Sequence, residues 1–555
     1  MGNYSNEIAI QVLLQLLKRK GIKKVIVSPG TTNASFVASL QSDAYFEMYS
    51  CIDERSAAYM ACGLSAESGE VVVLSCTGAT ASRNYLPALT EAYHSKLPIL
   101  AVTSTQTSVR ADNLIPQYID RSSFPKDAVR YSVHIPFVRG SLDTRDCILK
   151  INRALSELHR GGGGPVHINL TTNYTSEYVC DFSVDVTDMD HYYPWNDLPQ
   201  IPEEINKIAI SIGTHKKMSE KLTNSIEYFC EKYGAVVLTD HSSHYYGDYG
   251  CQTALLLSQK NYNCNSLLPD LLIHIGEESG DYDTYHWLHL GKIVWRVSED
   301  GIMRDTFGHL DKVFEMNEAY FFDFYASNTK HRNSSYLKQW KSEMLRVKDI
   351  PEVPFSNVWV ANRLAGLIPS DSVVHLGVSN TLRAWSFFEF DKSITVHTNT
   401  GTRGIDGAMS TLIGHSLADS NKICYGILGD LSFFYDLNVL GNRHVGKNVR
   451  LLLINNNGGA MFYLYNHYAT TVIKNNIGEY IAAAGHNGNK SRKLIKNYAE
   501  ELGFEYICAD SKESFEKNFG VFISPRMTEK PILFELFIEN SSESEALELM
   551  HNIYK

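Results

Sequence analysis

The chain has 555 residues, 44% of them hydrophobic and 20% charged, which is the composition of an ordinary globular protein with room for three or four domains. Its net charge of −11 argues against a surface that binds nucleic acid or an anionic membrane. The ten cysteines are scattered without a CxxC pair, so they indicate neither a disulfide framework nor a zinc or iron–sulfur site.

The first third of the chain alternates between helical and strand patterns. Residues 1–6 lack the basic-then-apolar pattern of a signal peptide, and no apolar run approaches about 20 residues, so we expect a cytoplasmic protein. Helices are predicted at 8–17, 34–40, 56–65 and 85–94, and strands at 25–27, 45–52, 71–75, 99–103 and 166–170, with a turn at 77–81. This alternation predicts a parallel sheet, and we place a first α/β domain at residues 1–184.

Two further α/β domains are predicted downstream. Residues 185–200 are rich in Asp, Tyr and Pro, which is typical of a linker. A smaller domain follows at 200–327, with a helix at 217–232 and strands at 207–212, 235–238, 271–275 and 292–297. A polar stretch at 328–348 leads to a third domain at 355–555. The expected fold class is α/β, with three doubly wound domains of mainly parallel sheets.

The stretch from residue 426 to residue 462 carries the strongest functional signal. Two apolar runs, 423–428 and 449–454, are predicted to be buried strands joined by a helix, and each run ends in a polar loop. Ligands bind at the carboxyl ends of such strands in open α/β sheets. Asp430 offers a carboxylate there, Asn456 an amide oxygen and Gly458 a carbonyl, a set that suits Mg²⁺ holding a diphosphate. Gly-Asp and Asn-Gly pairs can also mark ordinary turns.

The spacing of these residues resembles a known signature. Gly429-Asp430, followed 25 residues later by Asn455-Asn456, is similar to the diphosphate-binding motif of thiamine-diphosphate (ThDP) enzymes, and the surrounding residues most resemble the menaquinone-pathway synthases called MenD. The resemblance implies a ThDP- and Mg²⁺-dependent enzyme with Asp430, Asn456 and Gly458 as metal ligands. It also implies a pyrimidine-binding domain at 1–184, a central domain at 200–327 and a diphosphate-binding domain at 355–555.

A second candidate residue follows the predicted strand at 45–52. Glu54 precedes a helix of small residues, and a carboxylate in such a place can be shielded from water, which favours sharing of a proton. The segment Asp53-Glu54-Arg55 could equally be a solvated charge cluster or a helix cap. In ThDP enzymes the matching glutamate hydrogen-bonds the aminopyrimidine ring, so the resemblance implies Glu54 as the catalytic residue that activates the cofactor.

Other positions take their expected roles from the resemblance alone. Gln117 matches a catalytic active-site glutamine, although a plain loop amide explains it equally well. Ile405 matches the bulky residue that props the cofactor in its bent conformation. The other residues expected to bind the cofactor are Gly30, Thr77, Ser379, Gly404, Gly429, Leu431 and Ser432.

The chain departs from the MenD pattern at positions that serve acidic substrates there. Thr32, Gln106 and Thr400 stand where MenD has arginines, and each exchange removes a permanent charge and a fork of donors. We therefore do not expect the same pair of polycarboxylate substrates. Each arginine left near the site could also be a surface or helix-end residue. The residues expected to contact substrate are Thr32, Arg383, Arg403 and Arg110.

The expected function is decarboxylation of a 2-oxo acid and transfer of the resulting acyl-anion equivalent to an acceptor carbonyl. The alternatives are a simple decarboxylase that releases an aldehyde and a non-catalytic nucleotide- or ThDP-binding protein. An NAD-dependent enzyme is disfavoured because no GxGxxG opens a βαβ unit. The resemblance also implies a homodimer or homotetramer with active sites at the subunit interface, since Glu54 and the metal loops lie in different domains.

Overall fold

The computed structural model describes residues 3–106, 113–329, 332, 335–486 and 490–554. The chain forms two compact units, the first of Met1–Asn196 with Asp300–Glu315 and the second of Asp197–Glu299 with Met316–Lys555. Mainly parallel sheets covered by helices build both units, which confirms the predicted α/β class. No helix within the described ranges is long and apolar enough to cross a membrane.

Residues 3–196 contain the strands β1 (Tyr4–Ser5), β2 (Lys24–Val27), β3 (Glu47–Ser50), β4 (Val72–Cys76), β5 (Ile99–Thr105), β6 (Tyr131–Ile135), β7 (Val166–Thr171), β8 (Tyr178–Val179) and β9 (Asp190–Tyr192), and the helices α1 (Ile8–Arg19), α2 (Ala34–Gln41), α3 (Glu54–Ser68), α4 (Thr80–Asn84), α5 (Leu86–His94) and α6 (Ser141–Glu157). Residues 197–315 contain β10 (Ile208–Ile212), β11 (Val236–Thr239), β12 (Gly250–Gln252), β13 (Leu271–Ile275), β14 (Val294–Ser298) and β15 (Leu310–Glu315), with α7 (Glu220–Tyr233), α8 (Ala254–Leu257) and α9 (Tyr282–Leu288). Residues 316–554 contain β16 (Val373–Leu376), β17 (Thr395–Thr398), β18 (Cys424–Gly429), β19 (Val449–Asn455), β20 (Glu505–Ala509) and β21 (Ile532–Phe537), with α10 (Glu318–Ser327), α11 (Tyr336–Leu345), α12 (Asn357–Leu364), α13 (Asn380–Trp385), α14 (Ala408–Ala418), α15 (Asp430–Tyr435), α16 (Ile477–Tyr480), α17 (Leu494–Glu501), α18 (Lys512–Phe522) and α19 (Asn540–Met550).

The first unit is built on an N-terminal sheet of six parallel strands in the order β3-β2-β4-β5-β7-β6. Helices α1, α2 and α6 pack on one face and α3 and α5 on the other, so the inner strands are buried on both sides. Because all strands are parallel, the segments that follow β2, β4 and β5 meet at one edge. Those segments carry Gly30, Thr32, Thr77 and Gln117, whereas Glu54 follows the edge strand β3.

The second unit ends in a C-terminal sheet of six parallel strands in the order β17-β16-β18-β19-β21-β20. Counted along the chain, both sheets follow the order second, first, third, fourth, sixth, fifth, so the first and third predicted domains share one strand topology. Residues 197–299 form a further parallel arrangement, β12-β11-β10-β13-β14. The boundaries predicted for three domains stay a prediction.

The structure corrects several predicted elements. The strand predicted at 45–52 spans only Glu47–Ser50, because Asp53 already caps α3, and the predicted turn at 77–81 includes the first residues of α4. The predicted linker at 185–200 contains β9, which pairs in parallel with β15 in the first unit. The polar stretch at 328–348 contains α11, whose Tyr336 and Trp340 are buried. These two large side chains, four positions apart, lie on one face of the helix and dock it.

Candidate active site

A cavity of about 200 Å³ lies at the carboxyl edge of the C-terminal sheet. Loops that follow β16, β17, β18 and β19 contribute to its wall. Three parallel strands thus deliver their polar loops to one place, and the loop after the fourth closes it with an apolar side chain. Eight residues predicted from the sequence line this cavity: Ser379, Ile405, Gly429, Asp430, Leu431, Ser432, Asn456 and Gly458.

Asp430 is the first residue of α15 and is 2% exposed. Its Oδ1 accepts a hydrogen bond from the Leu431 N–H at 2.8 Å, and its Oδ2 accepts one from the Gly458 N–H at 2.8 Å. The second bond ties the loop after β18 to the loop after β19. A carboxylate held in this way keeps lone pairs for a cation without having to reorganise.

Asn456 lies beside Asp430 in the wall and is 5% exposed. Its Nδ2 donates to Oε1 of Glu543 at 3.4 Å, so its Oδ1 is the atom left to face a cation. Glu543 comes from α19 and also accepts a hydrogen bond from the Asn357 N–H at 3.2 Å. Burial raises the pKa of Glu543 to about 7. An acid from a distant helix therefore orients the amide of the candidate ligand.

Gly458 occupies a backbone conformation that requires glycine. Its φ is +120°, and a Cβ built there would lie 2.5 Å from the main-chain oxygen of Ala482. The lack of a side chain lets the main chain of residue 458 pass between the cavity and the loop at 482–484. This close approach places main-chain atoms where a side chain would otherwise stand.

These groups fit a divalent cation that carries a diphosphate. A carboxylate, an amide oxygen and a main-chain carbonyl are the hard donors that Mg²⁺ takes, and within the described ranges no cluster of three or more His, Cys, Asp or Glu side chains could hold a metal. Asn380, also in the wall, is near the Glu543 carboxylate, but its Nδ2 makes no close hydrogen bond within the described ranges, and a phosphate oxygen would satisfy it. Ser379 holds a strained backbone, φ 69° and ψ −123°, at the same place.

The apolar wall is anchored to the polar one. The Ser432 hydroxyl donates to the main-chain oxygen of Ile405 at 2.7 Å, which fixes Ile405 beside Asp430. Gly404, the residue before Ile405, does not line the cavity. A Cβ on Gly404 would lie 2.4 Å from Oδ1 of Asp406. The bulky residue therefore reaches the cavity while its glycine neighbour turns the loop.

The two candidate substrate arginines already face protein groups. Arg403 Nη2 donates to the Ser279 carbonyl at 2.9 Å and lies 3.1 Å from Oε1 of Glu278. Arg383 faces Asp283, whose pKa is raised by burial and lowered by this arginine. Neither arginine lines the cavity, so a substrate acid would compete with these protein partners. Arg110 lies outside the described residues.

Glu54 opens α3 in the first unit and is half-buried. Asn84 Nδ2 donates to its Oε2 at 3.3 Å. Asp53 is the helix cap that the sequence left as an alternative, since its Oδ1 accepts from the N–H groups of Arg55 and Ser56 at 2.9 and 3.2 Å. The sequence led us to expect that the helix of small residues shields Glu54 from water. In the single chain Glu54 is only half-buried, because it is the first residue of α3.

Two threonine hydroxyls of the first unit pair at the sheet edge, and Gly30 packs against one of the two threonines. Thr32 Oγ1 lies 2.6 Å from Thr77 Oγ1 and donates to the Ser104 carbonyl at 2.8 Å. Gly30 packs directly on Thr77, because a Cβ on Gly30 would lie 2.2 Å from the Thr77 Cβ. Gln117 lies in an exposed loop with a φ of +67°.

Sequence reasoning missed several residues of the site. Asn380 and Asn357 line the cavity, and the apolar floor includes Met461 and Phe462. Asn380 could have been found, because it directly follows Ser379 in the motif. Glu543 lies 87 residues beyond Asn456 in the chain, and no local pattern connects the two.

Comparison with known proteins assigns the family. Residues 9–124 match the family model described as thiamine pyrophosphate enzyme, N-terminal TPP binding domain. The 2-succinyl-5-enolpyruvyl-6-hydroxy-3-cyclohexene-1-carboxylate synthase of Bacteroides thetaiotaomicron is 30% identical over 564 residues, 98% of each chain. The enzymes of the same name from Bacteroides fragilis and Christiangramia forsetii are each 28% identical, over 98% and 100% of each chain. The chain therefore belongs to the family of ThDP-dependent 2-succinyl-5-enolpyruvyl-6-hydroxy-3-cyclohexene-1-carboxylate synthases, the MenD family.

Proposed function

We propose that the C-terminal cavity holds the diphosphate of ThDP and its Mg²⁺, with Asp430, Asn456 and the Gly458 carbonyl as the protein ligands. The observation that carries this assignment is the hydrogen bond from Gly458 to Asp430, which fixes two of the three ligands against each other. Asn380 and Ser379 line the same wall and would contact the phosphate oxygens. The enzyme is a synthase that decarboxylates a 2-oxo acid and transfers the acyl-anion equivalent to an acceptor, and ThDP would supply the electron sink for that chemistry.

Glu54 is proposed as the residue that shares a proton with the aminopyrimidine ring. It stands at the first turn of α3, and Asn84 holds one of its oxygens. The other oxygen keeps its acceptor capacity for a ring nitrogen. Because the family binds ThDP through its pyrimidine and diphosphate ends separately, this role needs a second surface to cover Glu54.

A partner subunit is proposed to supply that surface. Ile52, Tyr59 and Met60 flank Glu54 and are 85%, 48% and 45% exposed in the single chain. In the second unit, Tyr435 at the end of α15 and Tyr468 are 67% and 65% exposed. Large apolar side chains exposed beside a predicted site mark an interaction surface. We infer a homodimer, or a pair of them, in which Glu54 of one chain serves the metal loops of the other, and we keep a cytoplasmic location as a prediction.

Mixing two inactive variants tests this arrangement. Glu54→Gln and Asp430→Asn should each abolish turnover as pure proteins. If the site is shared between chains, a mixed dimer contains one doubly substituted site and one intact site. Random pairing makes half of the dimers mixed, so co-refolded or co-expressed variants should regain roughly a quarter of wild-type activity. No recovery would place both residues in the site of one chain and would overturn the shared arrangement.

The substrates are proposed to include at least one acid with a second negative group. The product named for the relatives carries a succinyl group and a ring carboxylate. Here Thr32 and Thr400 are committed to hydroxyl contacts, and Thr400 Oγ1 lies 2.7 Å from Thr214 Oγ1. Steady-state kinetics with 2-oxoglutarate and pyruvate decide between a dicarboxylate and a monocarboxylate donor. A higher kcat/KM for pyruvate would contradict the proposed acidic substrate.

A further inference from the structure

One arginine in the first unit is buried without a carboxylate partner among the described residues. Arg121 is 3% exposed, and its Nη2 donates to the hydroxyl of Thr105 at the end of β5. Its Nε and Nη1 are buried without a hydrogen-bond partner in the described part of the chain. The charged and polar groups that act on it are Cys76, Tyr118, Tyr174 and Arg83, and none of them is a carboxylate.

Buried Arg450 and half-buried Arg145, by contrast, each have acceptors for both terminal guanidinium nitrogens, although the Nε of Arg450 has none in the described ranges. Arg450, 0% exposed, donates through Nη1 to the carbonyls of Phe522 and Ser524 at 2.6 Å each and through Nη2 to that of Arg526 at 2.8 Å. Arg145 in the first unit pairs with Asp305. A buried guanidinium that lacks acceptors on two of its three nitrogens is destabilising, and an acidic ligand would supply the missing acceptors.

The main chain at the end of β4 makes room for this arginine. A Cβ built on Gly78 would lie 1.9 Å from Arg121 Nη1, so a glycine is needed for the guanidinium to pass against the loop. Ala79, the next residue, holds a strained backbone with φ 54° and ψ −129°. Two energetically costly features therefore meet at one point of the sheet edge.

The surroundings of Arg121 are those of an anion site. The Thr105 hydroxyl accepts a hydrogen bond from the Arg121 guanidinium. The guanidinium also packs on Gly78, which directly follows Thr77 in the chain. The Thr32 and Thr77 hydroxyls lie 2.6 Å apart at the same edge of the sheet. A planar guanidinium with hydroxyl neighbours suits a carboxylate, whose two oxygens match its two parallel N–H groups.

We propose that Arg121 is the carboxylate anchor of the first unit and that it takes over the charge lost at Thr32 and Gln106. This inference rests on the proposed acidic substrate. The guanidinium is covered in the free chain, so the carboxylate reaches it when the exposed segment at 113–120, which leads into Arg121, moves aside. Tyr118, which faces Arg121 and donates to Gln106, is the side chain in that segment that must shift.

Thermal unfolding and calorimetry of the full-length protein test the proposal. Arg121→Met removes the charge and keeps much of the side-chain volume, Arg121→Lys keeps the charge, and Arg139→Met changes an exposed arginine of the same unit. Without ligand, Arg121→Met should unfold at the same temperature as wild type or higher, because an unpartnered buried charge is removed. The probe is 2-oxoglutarate, and chloride at equal ionic strength is the control. The dissociation constant of 2-oxoglutarate should be at least tenfold higher for Arg121→Met than for wild type, while the affinity of Arg121→Met for ThDP is unchanged. Arg139→Met should bind 2-oxoglutarate as tightly as wild type.

Two results would overturn the anchor. One is an Arg121→Met protein that unfolds at lower temperature and is rescued by Arg121→Lys while carboxylate affinity is unchanged, which would make Arg121 a structural clamp. The other is the absence of carboxylate binding to wild type by either method. Neither readout requires turnover, so a failure of the proposed reaction would appear separately, as carboxylate binding without product.

Discussion

Gly458→Ala probes the part of the site where geometry is tightest. The residue holds φ at +120°, which costs a residue with a side chain about 1–3 kcal/mol. The new methyl group would lie 2.5 Å from the Ala482 oxygen and 3.2 Å from the Cα and N of Ala484, all of them main-chain atoms. The loop at 482–484 must therefore move, and it is bonded to the site, because the Gly459 N–H donates to the Ala482 oxygen at 2.7 Å.

We expect a loss of about 3 kcal/mol in the free energy of unfolding of the C-terminal part, equivalent to a fall of about 6–12 °C in its melting temperature. Calorimetric scans without ThDP measure this directly. Gly429→Ala is the matched control, because Gly429 lines the same cavity, has a φ of −82° and offers a Cβ nothing to meet within 4 Å. Its cost should stay below about 1 kcal/mol. Equal melting temperatures for the two variants would refute the steric reasoning about Gly458.

Two further substitutions test electrostatics. Asp430→Asn should weaken Mg²⁺-dependent ThDP binding at least tenfold in titration calorimetry, because the amide nitrogen would face a main-chain N–H at a cost of about 1–3 kcal/mol; an unchanged affinity would contradict the assigned role. Burial raises the pKa of Asp281 to about 7, so the folded protein keeps a proton that the unfolded chain releases near pH 4, and stability falls as pH rises from about 4 to about 7. Asp281→Asn keeps the acceptor for the Thr284 N–H. Urea unfolding at pH 4 and pH 7 should show that this variant loses up to about 4 kcal/mol less stability between the two pH values than wild type does. Identical pH profiles for the two proteins would contradict the raised pKa of Asp281.

Much of the fold can be predicted from the sequence, because parallel strands that are buried on both faces have continuous apolar sequences. All seven residues of β19 are buried, and the run at 449–454 predicts that strand nearly to its ends. The ends of elements are harder, because they depend on single side chains. The Asp53 cap shortens the strand before α3, and Trp340 docks a helix in a stretch that is polar on average.

Some residues of the candidate site could be predicted from local motifs, and others could not. Asp430, Asn456 and Gly458 come from short motifs at strand ends, where topology alone brings them together. Glu543 and Arg121 could not be predicted, since each acts through a contact between segments far apart in the chain or through a missing partner. The local sequence also gives no sign of the Glu278 carboxylate that engages Arg403, and the substrate role of this arginine stays a prediction.

Carboligation itself is tested most directly by ¹³C NMR. Wild-type protein with ThDP and Mg²⁺ is given 2-oxoglutarate labelled at the keto carbon together with an acceptor carbonyl compound, and Glu54→Gln is run in parallel. We expect the label to appear in a new carbon–carbon-bonded product with wild type and to stay in the 2-oxo acid with Glu54→Gln, although that variant still binds ThDP. Label recovered only in a released aldehyde, or equal turnover by Glu54→Gln, would contradict the account.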